Sequence, residues 1–147
     1  MLKSDSTILL VEDNDDDVFA MKRALIKGQI MNPLQVATNG QMALDYLSGA
    51  GKYADRQSFP LPFIVFLDLK LPYLGGFEVL TWMRQQPALD SIVVVILTSS
   101  DEEKDHQRAY SLGAKNYLVK PPTPKDLTEV LTSLKDVQLT SNIRITV

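Results

Sequence analysis

Acidic side chains follow two of the most apolar stretches in this chain. Residues 8–11 (ILLV) lead into Glu12 and Asp13, and residues 63–67 (FIVFL) lead into Asp68. Three carboxylates brought close together repel one another, and they do not all stay ionised cheaply. Mg²⁺ resolves that conflict, because proteins hold it with one or two carboxylates together with waters and phosphate oxygens. The sequence therefore predicts a magnesium site, provided that the fold brings these acids together.

Two other polar residues come directly after apolar stretches. Thr98 follows residues 92–97 (IVVVIL), and Lys120 follows residues 116–119 (NYLV). A lysine ammonium adds positive charge opposite the carboxylates, and a threonine hydroxyl adds a hydrogen-bond donor. Phosphoryl transfer depends mostly on positioning and on charge neutralisation. Together with Mg²⁺, these side chains suit a phosphoryl group.

The residue types also suggest a role for each side chain. A carboxylate can attack phosphorus and form an aspartyl phosphate. We expect Asp68 to be this nucleophile, because it ends the most apolar stretch of the chain. Glu12 and Asp13 would hold the metal. Lys120 would pair with the phosphoryl oxygens, and Thr98 would donate a hydrogen bond to one of them.

The elements that must position these residues alternate between strands and helices. Short apolar stretches bounded by polar residues are typical of strands buried on both faces of a parallel sheet. Segments that are apolar at every third or fourth position are typical of helices. The predicted strands cover residues 7–11, 34–37, 63–67, 92–97 and 116–119, and the predicted helices cover residues 15–27, 42–47, 75–85 and 101–112, with a last helix that Thr123 caps and Pro124 begins.

This alternation predicts an α/β fold with a parallel sheet that is covered by helices on both faces. The carboxyl ends of parallel strands meet at one edge of the sheet, where ligands bind in such folds. Glu12, Asp68, Thr98 and Lys120 all follow predicted strands, so we expect them to share one cleft.

Composition excludes several classes of function. With a net charge of -3, bulk electrostatics do not suggest binding to nucleic acid or membrane. The absence of cysteine and the single histidine, His106, exclude disulfides, thiolate metal sites and multi-histidine metal centres. The first apolar run is too short for a signal peptide or a membrane span, which favours a cytoplasmic protein. We expect His106 itself to lie on the surface.

Four stretches, LLVEDN, FLDLKLPYLGGFEVL, VVVILTSS and GAKNYLVKP, occur in the order and at the separations found in response-regulator receiver domains of two-component signalling. The chain resembles this CheY-like family from residue 8 to about residue 135. The resemblance implies a flavodoxin-like (βα)5 fold with strand order 2-1-3-4-5. It also implies that Asp68 receives a phosphoryl group from a sensor histidine kinase or a histidine phosphotransfer protein.

The resemblance further implies how the metal is held. By the family's motif, Asp13, Asp68 and the backbone carbonyl of Lys70 contact Mg²⁺ directly, and Glu12 acts through water. The side chain of Lys70 would lie at the mouth of the site.

The resemblance also implies a switch. Thr98 and Tyr117 match the family's switch pair, in which the hydroxyl moves toward the phosphate and the aromatic ring turns inward. The Lys120-Pro121 peptide is typically cis in this family. Phosphorylation would alter the face formed by helix 4, strand 5 and helix 5, and this face would bind a partner or a second copy in a homodimer.

Domain organisation follows from the same reasoning. We expect a receiver domain over residues 1–135 and a tail over residues 136–147, in which Ile143, Ile145 and Val147 alternate with polar residues and could form a strand. We expect a stand-alone regulator whose output is binding. The loop Gly49–Pro62 is long and similar to a segment in receivers that pair with phytochrome-type kinases.

The same residues are also compatible with other functions. A Mg²⁺-dependent phosphatase with an aspartyl nucleophile is one alternative, but such enzymes carry an acid two positions after the nucleophile, where this chain has Lys70. A flavin-binding module would lack a phosphate-binding loop after the first strand. A receiver that never takes phosphate is a further alternative. Asp15, Asp16 and Asp17 are expected to be helix N-terminal acids favoured by the helix dipole.

Overall fold

The computed structural model describes residues 6–141, and it describes side chains as far as Leu134. Five strands form one parallel sheet in the order β2-β1-β3-β4-β5. The strands are β1 (Ile8–Val11), β2 (Leu34–Ala37), β3 (Ile64–Leu67), β4 (Val93–Thr98) and β5 (Asn116–Val119). Both the predicted fold class and the predicted strand order are confirmed.

Within residues 6–141, an α-helix follows each of the five strands. The helices are α1 (Asp15–Lys27), α2 (Gly40–Ser48), α3 (Gly76–Arg84), α4 (Glu103–Ser111) and α5 (Pro124–Ser141), with short 3-10 helices at Gly51–Ala54 and Pro87–Leu89. Within the described residues, none of the helices has both the length and the apolar character needed to span a membrane.

The start of α5 agrees with the prediction. The backbone N–H of Asp126 donates to Thr123 Oγ1 at 3.0 Å, and the N–H of Thr123 donates to Asp126 Oδ2 at 3.3 Å. Such reciprocal bonds satisfy backbone donors that have no partner within the helix. At its other end α5 continues to Ser141, so part of the expected tail over residues 136–147 is helical. The expected strand around Ile143, Ile145 and Val147 lies outside the described residues.

Apolar side chains pack on both faces of the sheet, which explains why its central strands are continuously apolar. Leu9 and Val11 of β1 pack on the side of α2 and α3, whereas Ile8 and Leu10 pack on the side of α1 and α5. All four residues of β1 and all four of β3 are buried. Each such side chain contributes about 1.5–3 kcal/mol by leaving water. These strands form a rigid support for the residues that follow them.

The long segment after α2, Gly49–Pro62, is compact and packs through aromatic side chains. The rings of Tyr46, Tyr53 and Phe59 contact one another, with centroids 5.0–6.0 Å apart. Arg56 donates to the carbonyls of Tyr46 at 2.8 Å and Leu47 at 3.0 Å, so it satisfies acceptors at the end of α2. It also donates to the carbonyl of Phe59 at 3.2 Å. The segment Gly49–Pro62, predicted as a loop, therefore packs on α2 through a small aromatic cluster.

Candidate functional site

The three predicted acids converge at the carboxyl edge of the sheet. Val11 and Leu67 are paired neighbours in β1 and β3, so Glu12 and Asp68 leave the sheet side by side. Each of Glu12, Asp13 and Asp68 offers a carboxylate oxygen, and these oxygens all lie within 4.8 Å of one another. Glu12 and Asp68 are buried, whereas Asp13 is exposed. The arrangement is a compact acidic cluster with one open side.

The cluster fits a divalent cation that prefers oxygen ligands. Its donors are carboxylate oxygens alone, which is the chemistry that Mg²⁺, Ca²⁺ and Mn²⁺ accept. Burial raises the pKa of Glu12, and the nearby charge of Asp68 raises it further, while bonds from Lys120 and from the Asn14 amide oppose both effects. A bound cation would favour the ionised form of Glu12 and relieve the repulsion between the acids.

Lys120 lies among the acids and supplies the positive charge that the sequence predicted. Its ammonium contacts a carboxylate oxygen of Glu12, and it donates to Asp68 Oδ2 at 2.7 Å and to Asp17 Oδ2 at 2.8 Å. Burial lowers the pKa of Lys120, but the three carboxylates outweigh burial, so this pKa lies above its ordinary value. The lysine is therefore charged throughout the neutral range.

The position of Lys120 depends on the end of β5. Its backbone N–H donates to the carbonyl of Thr98 at 2.8 Å, which extends the pairing of β4 with β5 by one step. The peptide bond between Lys120 and Pro121 is cis, as the resemblance implied.

Asp17 is a member of the site that sequence reasoning missed. We predicted it, with Asp15 and Asp16, as an acid that stabilises the helix dipole. In the structure Asp17 contacts Lys120, whereas Asp15 and Asp16 are exposed. The sequence carried no clear signal for this contact, because Asp13 lies before the helix that begins at Asp15 and the rotation of that helix decides where Asp17 points.

The loop after β3 holds Asp68 in place. The backbone N–H of Lys70 donates to Asp68 Oδ1 at 3.1 Å, and the side chain of Lys70 is exposed. A Cβ atom at Gly76 would lie 2.2 Å from the carbonyl oxygen of Asp68, so only glycine lets α3 begin this close to β3. Between them, Tyr73 has φ +67 and is 98% exposed.

Thr98 and Tyr117 lie on the other side of the pocket. Thr98 is fully buried, and its Oγ1 has no hydrogen-bond partner among the described residues. Tyr117 is buried, and its hydroxyl donates to the carbonyl of Ser100 at 2.7 Å. Burial raises the pKa of Tyr117, and acids at the start of α4 add to this effect, so its hydroxyl stays a donor at neutral pH. The buried hydroxyl of Thr98 is an unused donor.

His106 does not lie free on the surface as expected. Its ring stacks on that of Tyr117, with centroids 3.7 Å apart and an interplanar angle of 21°. Its Nε2 lies 2.9 Å from Asp101 Oδ1, and its side chain is 25% exposed. The helical pattern of α4 does not reveal this packing, because it depends on how α4 lies against β5.

Comparison with known proteins agrees with this arrangement. The sequence profile of the response regulator receiver domain matches residues 8–132. Response regulator Rcp1 of Synechocystis sp. is 35% identical over 132 residues, which cover 90% of this chain and 88% of Rcp1.

Solved structures show the same relationship. The bacteriophytochrome response regulator RtBRR has a TM-score of 0.78 and 40% identity, covering 88% of this chain and 78% of RtBRR. The phosphorylated cyanobacterial phytochrome response regulator RcpA has a TM-score of 0.75 and 30% identity, covering 93% and 96% of the two chains. A structure of Rcp1 is of its Mn²⁺-bound form, with a TM-score of 0.72, 34% identity and coverage of 92% and 96%.

Proposed function

The chain belongs to the family of response regulator receiver domains, which act in two-component signalling, and from this premise we propose that Asp68 accepts a phosphoryl group in a Mg²⁺-dependent reaction. One observation carries the proposal. The buried carboxylate of Asp68 lies beside two acids that can hold a cation and 2.7 Å from the ammonium of Lys120.

The chemistry is in-line displacement at phosphorus. An oxygen of Asp68 attacks, a new O–P bond forms, and the P–N bond of a phosphohistidine breaks, so the imidazole leaves with the electron pair. Mg²⁺ held by Glu12, Asp13, Asp68 and the carbonyl of Lys70 would supply positive charge opposite the phosphoryl oxygens. Lys120, whose ammonium lies 2.7 Å from Asp68 Oδ2, would also neutralise charge on those oxygens.

Thr98 would bind the product. A buried hydroxyl without a partner costs about 1–3 kcal/mol, and a phosphoryl oxygen on Asp68 would remove that cost. The gain arises only when the phosphoryl group is present. Thr98 and Tyr117 would then link phosphorylation to the position of α4.

Relatives support the metal and the modification. RcpA is a phytochrome response regulator with a structure in the phosphorylated form, and Rcp1 has one with Mn²⁺ bound. In this chain Glu12, Asp13 and Asp68 form a cluster that suits either Mn²⁺ or Mg²⁺.

We propose a cytoplasmic sensor histidine kinase of the phytochrome type as the phosphoryl donor. A donor that reaches Asp68 must rest on the loops and helix ends around it. Phe19, near the start of α1, is 61% exposed, and Tyr73, in the loop after β3, is 98% exposed. Exposed aromatic side chains on α1 and on the loop that follows Asp68 favour a protein partner.

The output would be binding. We propose that phosphorylation changes the face formed by α4, β5 and α5, so that it binds a target or a second copy of the chain. Tyr110 on α4 is 48% exposed and Val119 on β5 is 37% exposed, which gives this face apolar contacts.

The assignment of Asp68 is tested by intact mass. The protein is incubated with a small acyl phosphate and Mg²⁺, alongside Asp68→Asn and the matched control Asp16→Asn, which neutralises an exposed acid. We expect the wild type and the control to gain one phosphoryl group, Asp68→Asn to gain none, and a chelator to abolish labelling. Full labelling of Asp68→Asn would refute the assignment.

A further inference from the structure

Resting on the proposed function, we infer that Asp17 is a positioning residue that retains the Lys120 ammonium at the pocket while the phosphoryl group is transferred. The inference begins with the number of donors. A lysine ammonium has three N–H groups, and Lys120 has three carboxylate partners in the structure. These partners are Glu12, Asp17 and Asp68.

The three partners change differently during the reaction. Glu12 and Asp68 belong to the acidic cluster that can hold a metal, and Asp17 does not. When Asp68 takes the phosphoryl group, its attacking oxygen becomes part of an acyl phosphate and no longer carries a full negative charge. A bound cation would compete with Lys120 for the carboxylate of Glu12. Of the three carboxylates, Asp17 alone keeps both its charge and its freedom to hold Lys120.

The location of Asp17 suits this role. It lies in the first turn of α1, and its backbone N–H donates to Asn14 Oδ1 at 3.0 Å, so the capped helix fixes its backbone. Its side chain is 39% exposed, whereas those of Glu12 and Asp68 are 2% and 6% exposed. Asp17 therefore lies at the outer side of the ammonium, and one N–H held there leaves two for the phosphoryl oxygens.

Asp17 also limits how far the ammonium blocks the nucleophile. In the unphosphorylated protein Lys120 donates to Asp68 Oδ2, the group that must attack phosphorus. Because the Lys120 ammonium also bonds to Asp17, its interaction with Asp68 is weaker than it would be with Asp68 and Glu12 alone. Without Asp17, Lys120 would pair with Glu12 and Asp68 alone in the resting protein, and it would lack its outer anchor in the phosphorylated one.

The kinetic experiment measures the rate of labelling by a small acyl phosphate at saturating Mg²⁺. We expect the rate of Asp17→Ala to fall about tenfold, as for loss of one charge-assisted hydrogen bond. Asp17→Asn keeps a hydrogen-bond acceptor without the charge, so its labelling rate should lie between those of wild type and Asp17→Ala. Asp17→Glu keeps the charge and should label at close to the wild-type rate. Asp16→Ala removes the same charge at an exposed position, and it should stay within about twofold of wild type, which controls for long-range electrostatics.

A structural experiment supplies a readout that does not depend on rates. The wild-type protein is crystallised with Mg²⁺ and beryllofluoride, which mimics a phosphoryl group on a carboxylate. We expect Lys120 to keep its hydrogen bond to Asp17 and to contact the beryllofluoride, with its direct bonds to Glu12 and Asp68 lost. Release of Asp17 by Lys120 in that structure would overturn the inference, even if the Asp17 variants were to fold poorly.

Failure of the inference differs from failure of the proposed function. If the wild type labels, Asp68→Asn does not, and Asp17→Ala labels as fast as wild type, then only the role of Asp17 is wrong. If Asp68→Asn labels fully, the proposed function itself is wrong.

Discussion

The two sides of the pocket are held by different forces. On one side Glu12, Asp68 and Lys120 have side chains that are only 2%, 6% and 11% exposed. Glu12 and Asp68 follow β1 and β3, which are buried on both faces. On the other side Thr98 ends β4, and Tyr117 of β5 stacks on His106 of α4. Ala109 is the one buried residue of α4, whereas α3, with the same number of residues, buries four.

This difference separates the chemistry from the response. The charged side cannot move without exposing apolar strands and separating buried charges, so it keeps the reacting groups in place. The α4 side is held mainly by polar and ring contacts: Ser100 Oγ donates to Asp105 of α4 at 2.6 Å, and His106 of α4 stacks on Tyr117. Arg108 of α4 also lies over the ring of Phe77, and little apolar surface is buried. Segments with few buried apolar contacts open at lower free energy than the whole domain. The rigid charged side suits phosphoryl transfer. The α4 side suits a conformational change that alters the surface to which a partner binds.

The largest effect is expected from removing the charge that balances the acids. Lys120→Met leaves Glu12 and Asp68 buried side by side without a cation. Loss of one partner from a buried ion pair costs several kcal/mol. We expect the free energy of unfolding, measured by urea denaturation with a chelator present, to fall by about 3 kcal/mol.

Two controls test whether charge is the cause of this loss. Lys125→Met removes a lysine whose side chain is 84% exposed, and it should change the free energy of unfolding by less than about 0.5 kcal/mol. Added Mg²⁺ should recover part of the stability of Lys120→Met, because a bound cation replaces the missing charge. An unchanged denaturation midpoint for Lys120→Met in chelator would mean that the charged side is not held by this lysine.

Much of the fold could be predicted because its strands are unusually apolar. Strands buried on both faces, such as β1 and β3, stand out as continuous apolar runs between polar residues. The observed helix α1 covers the predicted residues, and β4 begins and ends one residue later than predicted. The sequence did not predict the 3-10 helix Gly51–Ala54. This helix is supported by ring contacts among Tyr46, Tyr53 and Phe59, and these residues follow no periodic pattern.

The predicted site residues converge for a simple geometric reason. Glu12, Asp68, Thr98 and Lys120 each end or follow a strand, and parallel strands bring such positions to one edge. Asp17 and His106 were missed because they lie on helices. A helix pattern gives the spacing of side chains, but the direction in which they point depends on how the helix is rotated against the sheet.

An intermediate effect is expected in the exchange of backbone amides with solvent. Amides of α4, residues 103–111, should exchange through local opening, at a free energy several kcal/mol below that of global unfolding. Amides of β3, residues 64–67, should exchange only when the whole domain unfolds. Hydrogen exchange followed by NMR measures both. Equal opening free energies for α4 and β3 would remove the proposed contrast between the two sides.

The smallest effect is expected at the ring that covers Tyr117. His106→Ala removes the stacked imidazole and its contact with Asp101, and aromatic pairs of this kind contribute about 0.5–1.5 kcal/mol. We expect the free energy of local opening of α4 to fall by this amount. The exchange of the β3 amides should not change. His106→Phe keeps a stacked ring without the contact to Asp101, so it should retain most of the protection.

This last comparison also decides what holds α4 in place. Protection that is lost equally in His106→Ala and His106→Phe would assign it to the contact with Asp101, and not to the stack. Protection unchanged in both variants would mean that other contacts of α4, such as the hydrogen bond from Ser100 to Asp105, hold it without help from His106. A loss that spreads to β3 would mean that the two sides of the pocket are coupled, contrary to the separation of chemistry from response.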